Sequence, residues 1–74
     1  MRSSNLEKRI MLRKIIMYSR TAIEKLDDVT YYENILINGR DVNEEYFEEM
    51  LEYAKREYEE VIKNMLDVIY PIVI

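Results

Sequence analysis

Four arginines, Arg2, Arg9, Arg13 and Arg20, recur at spacings of seven, four and seven residues. On an α-helix turning about 100° per residue they fall within roughly 40° of one another, along a line about 27 Å long. Guanidinium groups so arranged suit two tasks. They can pair with acidic residues of a neighbouring helix or of a second subunit, or they can clamp successive phosphates of a nucleic acid, with an affinity that falls steeply with salt. The second half of the chain carries the opposite chemistry, because Glu45, Glu48, Glu49 and Glu52, continued by Glu59 and Glu60, share one helical face. Such a face keeps a small protein in solution, or imitates a phosphate ladder within the basic groove of a nucleic-acid-binding partner. Residues 1–25 carry a net charge of +5 and residues 26–74 one of −9, so the chain is strongly polarised about its total of −4.

Catalytic chemistry has little to build on. There is no histidine and no cysteine, so Ser3, Ser4 and Ser19 have no imidazole to activate them, and disulfides and thiolate zinc sites are excluded. Carboxylates spaced i, i+3 and i+4 hold Mg²⁺ when a second acidic motif faces them, but the first third of the chain offers only Glu7 and Glu24. A single glycine rules out a glycine-rich phosphate loop. The expectation is a protein without enzymatic activity, cofactor or metal. The start of the chain, Met1 to Arg9, has no apolar signal-peptide core, and the longest apolar run, Val68 to Ile74, falls far short of the ~18–20 residues that span a bilayer. A reduced, cytoplasmic setting follows as the expectation. The lack of Gln and Cys beside ten Ile leans towards a heat-adapted or viral source.

The elements that must position these residues are helical. Ser4-Asn5-Leu6-Glu7 is a capping box that starts a first helix over about 5–27. A second box, Thr30-Tyr31-Tyr32-Glu33, and a third, Asp41-Val42-Asn43-Glu44, bracket the turn signal Asn38-Gly39. Read through the boxes, residues 31–37 form a short helix or turn closed by Gly39 in the left-handed position. Read through propensity, the β-branched and aromatic residues of 29–37 form a hairpin that turns at Asn38-Gly39, with Ile72-Val73-Ile74 as the third strand it would need. A second long helix follows over about 42–69, stopped near Pro71, and leaves an apolar tail over 70–74.

Both long helices are amphipathic. From Phe47 through Met50, Ala54, Tyr58, Val61, Met65 and Val68 the steps are 3, 4, 4, 3, 4 and 3, a bundle seam. The first helix spreads Met11, Leu12, Ile15, Ile16, Tyr18, Ala22, Ile23 and Leu26 over an arc wider than one partner helix covers, with Leu6, Ile10 and Met17 on a smaller patch. The expected fold is therefore all-α. It is an antiparallel helical hairpin that dimerises into a four-helix bundle, because at this size one core rarely supplies more than ~3–5 kcal/mol. The expected oligomer interface comprises Met11, Ile15, Ile16, Tyr18, Phe47, Met50, Ala54, Tyr58, Val61 and Met65, with Ile72 and Ile74 of the tail crossing to the neighbour. The expected contacts for a further partner are Arg2, Arg9, Arg13, Arg20, Glu45, Glu48, Glu49 and Glu52, with Tyr46 and Tyr53 at the edge of the apolar arc, because Tyr and Arg anchor interfaces. The function expected is protein–protein interaction or regulation, with nucleic-acid binding through the arginine line or acidic mimicry as alternatives.

Overall fold

The computed structural model describes residues 4–73, and the side-chain surroundings of residues 4–70. Two helices, α1 (Asn5–Asn38) and α2 (Glu44–Val73), pack antiparallel through the connection Gly39 to Asn43. No strand occurs among the described residues. The rod measures 57 × 15 × 13 Å, and its radius of gyration of 16.9 Å exceeds the ~11 Å of a compact chain of this length. Two helices side by side enclose no third layer, so the core is a seam.

The first capping box acts as its sequence implies: the Ser4 hydroxyl accepts from the Glu7 amide at 3.1 Å, satisfying one orphan donor of the first turn. The second does not cap. Thr30 Oγ1 donates back to the Leu26 carbonyl at 3.0 Å, a bond that belongs to a helix interior. With neither Gly nor Pro between residues 5 and 38, α1 runs on to Asn38. This corrects both the helix end expected near residue 27 and the separate element expected over 31–37. Tertiary packing overrides strand propensity here, because Val29, Tyr32 and Leu36 extend the same heptad seam and lie against α2.

The connection also differs from its expected form. Gly39 closes α1 by donating its amide to the Ile35 carbonyl at 2.8 Å, but its φ is −75°. The left-handed position belongs instead to Asp41, at φ 57°. Gly39 is required by proximity, since a Cβ there would meet the Ile35 carbonyl oxygen and the Val42 methyls. The cap of α2 is Asn43, whose Oδ1 accepts from the Tyr46 amide at 3.1 Å, so the helix starts two residues later than expected. At its other end α2 continues through Tyr70 and Pro71 to Val73, past the stop expected near Ile69. Pro71 forfeits the one ladder bond its amide would make to the Asp67 carbonyl, and only two described residues of α2 follow it. Ile74 lies outside the described residues, as do the side chains of 71–73.

The seam follows a strict alternation of 4 and 3 on α1: Met11, Ile15, Tyr18, Ala22, Lys25, Val29, Tyr32 and Leu36 are all buried or half-buried. Opposite them on α2 lie Phe47, Met50, Leu51, Ala54, Tyr58, Val61, Met65 and Val68. Ala22, Val29 and Ala54 are the three residues fully buried among those described. Small side chains at mid-seam let the two backbones approach closely. Register is marked at three levels: Ser19 Oγ to Met65 Sδ at 3.4 Å, Lys25 to Glu57, and Tyr32 to Phe47 with ring centroids 6.2 Å apart.

Candidate interaction surfaces

Two unlike flanks border the seam. On one, Lys25 Nζ meets Glu57 Oε2 at 2.5 Å, and Tyr53 stands one turn before Glu57. The hydrogen bond from Lys25, and then one from Tyr53, hold the Glu57 carboxyl below the usual carboxylate range. Their bond to that carboxylate raises Lys25 and Tyr53 in turn. Around this pair the flank is polar, whereas towards the start of α1 it carries the smaller apolar patch of Leu6, Ile10 and Met17, all exposed.

The other flank is apolar. Leu12, Ile16, Ile23 and Leu26 each sit one residue beyond a seam position of α1, so they form a second stripe turned about 100° from the first. They remain open to solvent, Ile16 at 54% and Ile23 at 61% exposure. Because α2 runs in the opposite direction, its residues one step past the seam turn to this same side. There Ile62 is half-buried, and Leu66, 54% exposed, stands level with Ile16. The hairpin thus carries an apolar strip, interrupted at Ser19, some 21 Å long over the fourteen residue steps from Leu12 to Leu26.

The back of each helix is charged. Arg9, Arg13 and Arg20 are exposed on the side of α1 turned away from α2, and none has an ion-pair partner among the described residues, whose one salt bridge is Lys25–Glu57. Arg2 lies outside the described residues. Glu45, Glu48, Glu49 and Glu52 are exposed on the outer side of α2, where with Leu51, Tyr53 and Arg56 they line a shallow, open depression. No cluster of three or more metal-ligating side chains occurs among the described residues, and no described helix is long and apolar enough to cross a membrane. Tyr46 stands exposed with its ring edge-on to Phe47, centroids 5.2 Å apart.

Of the residues expected at an oligomer interface, the structure places Met11, Ile15, Tyr18, Phe47, Met50, Ala54, Tyr58, Val61 and Met65 in the seam within one subunit. Ile16 alone of that set lies on the open strip, and the side chains of Ile72 and Ile74 lie outside those described. Leu66 escaped the sequence reading, and Leu12, Ile23 and Leu26 were seen there only as part of a wide arc. The signal was present all the same: two heptad stripes offset by one residue resolve that arc into an inner and a lateral face. Comparison with protein-family models, curated proteins and solved structures finds no match to this chain.

Proposed function

We propose that this chain is a small non-catalytic interaction protein, regulatory in role, that works as a self-associated helical bundle in a reducing, cytoplasmic setting. The observation that carries the reading is the strip formed by Leu12, Ile16, Ile23 and Leu26, which the hairpin leaves uncovered. Apolar side chains repeated at heptad spacing on one lateral face are the signature of a helix with two neighbours, and a hairpin supplies only one. Exposed apolar surface of this kind marks a protein contact. Absence of histidine and cysteine supports a role without catalysis.

Light scattering tests the self-association: a dimer at tens of micromolar is expected, and a stable monomer would remove the basis of the reading. A second reading has its own support. Arg9, Arg13 and Arg20 stand exposed without an acidic partner among the described residues, as residues that meet a polyanion do. Titration of labelled duplex and single-stranded probes against salt separates the two. Submicromolar binding that is lost in Arg9→Ala/Arg13→Ala favours nucleic acid, and flat titrations favour the protein partner.

A further inference from the structure

We infer that a second copy of this chain docks on the apolar strip in one particular way: the two hairpins lie antiparallel, with their Gly39 to Asn43 connections at opposite ends of the bundle. This rests on the self-association proposed above and specifies its geometry.

Area is the first argument. A compact monomer of 9.1 kDa exposes ~4,900 Å², whereas this chain exposes 6373 Å². The excess, roughly 1,500 Å², is more than the ~800 Å² that each partner contributes to an interface of ordinary size. Only two twofold arrangements set the strip against itself. In one the axis runs along the helices, so that α1 lies beside the α2 of the second copy and the two connections sit together. In the other the axis crosses the helices, so that α1 pairs with α1, α2 with α2, and the connections lie apart.

Charge decides between them. Antiparallel packing of α1 on α2 brings residues 24–60 to the connection half of the rod, where thirteen acidic and four basic side chains leave −9. The other half, residues 4–23 and 61–73, carries six basic and two acidic side chains, +4. An axis along the rod sets −9 beside −9; an axis across it sets −9 beside +4. Opposed potentials over a whole face fix orientation more firmly than any one exposed ion pair, which contributes only ~0–1 kcal/mol. The crossing axis also satisfies the side chains. Centred near Ser19, it places Ile16 against Ile23 of the second copy, Leu66 against Ile62, and Arg13 beside Asp27, each contact made twice.

The chain has no cysteine, so one nitroxide label at Arg40→Cys reads the distance between connections. With the axis across the rod, that distance is about 55 Å; a value under about 25 Å means the connections sit together and overturns the geometry while leaving self-association standing. A second variant, Ile16→Ser/Ile23→Ser, changes exposed residues outside the seam. It is expected to retain its helical circular dichroism and to weaken the dimer at least a hundredfold. An undiminished dimer would show that another face is used, and a native chain that stays monomeric overturns the geometry and the proposed function together.

Discussion

Lys25 occupies a seam position on α1, yet its ammonium turns to the flank of the hairpin and meets Glu57 of α2 there. A charged residue at a heptad position costs some packing and fixes register in return, since sliding the helices by a turn would strand both charges. It also makes the middle of that flank polar, while Ile10 and Met17 stand exposed on it nearer the start of α1.

The pair makes stability depend on pH in a defined direction. Glu57 is held lower in the folded chain, so its contribution is present above the unfolded carboxylate value of about 4.3 and is lost as pH falls through the folded one. Lys25 is held higher, so its contribution is present below about 10.4 and is lost as pH rises through the folded value. Thermal melts of the native chain and Glu57→Gln should differ at neutral pH, with the variant less stable, and converge near pH 2, where position 57 is uncharged in both. A difference that persists in acid would mean the glutamate acts through shape.

Caps separate the real helix starts from the apparent one. Replacing Asn43 with Ala removes the acceptor of the Tyr46 amide and should cost about 0.5–2 kcal/mol in denaturant unfolding. Thr30→Ala, which deletes only a back-bond to Leu26, should be neutral or slightly stabilising. Equal losses at the two sites would place a helix boundary at residue 30 after all.

The connection holds one residue that must be glycine and one that would benefit from becoming glycine. Gly39→Ala drives a methyl into the Ile35 carbonyl and Val42 and should cost about 1–3 kcal/mol. Asp41→Gly relieves a left-handed residue and should be neutral or stabilising by up to about 1 kcal/mol. Denaturation midpoints that shift in the reverse order would contradict this turn.

Ala54 is the most buried residue described, at 4% exposure. Enlarging it to Leu forces the helices apart and should destabilise the hairpin by about 1–3 kcal/mol. Val or Leu at Ile23, which points outward, should leave monomer stability within about 0.5 kcal/mol. Chemical denaturation of the two variants under dimer-free conditions compares them directly.

The helical hairpin was legible because Phe47 to Val68 and Met11 to Leu26 repeat at helical spacing whatever surrounds them. Three features were less so. Tyr31, Tyr32, Ile35 and Ile37 favour strands in isolation, and the packing of Val29, Tyr32 and Leu36 on α2 keeps α1 helical to Asn38. Asp41 and Asn43 both present a capping side chain, and the backbone geometry that chooses Asn43 arises when the two helices pack. Leu66 became part of a surface only once the register, marked by Ser19 and Met65, set it level with Ile16. The charge line of Arg9, Arg13 and Arg20 needed nothing beyond the helical repeat.

A seam that seals Ala22, Val29 and Ala54 and leaves the other described side chains partly wet gives a chain little means of staying folded in dilution. Any surface laid over the lateral stripe then enters the folding equilibrium by mass action. Under the proposed self-association, abundance and foldedness are expected to rise and fall together, each new chain protecting those already made from unfolding and proteolysis.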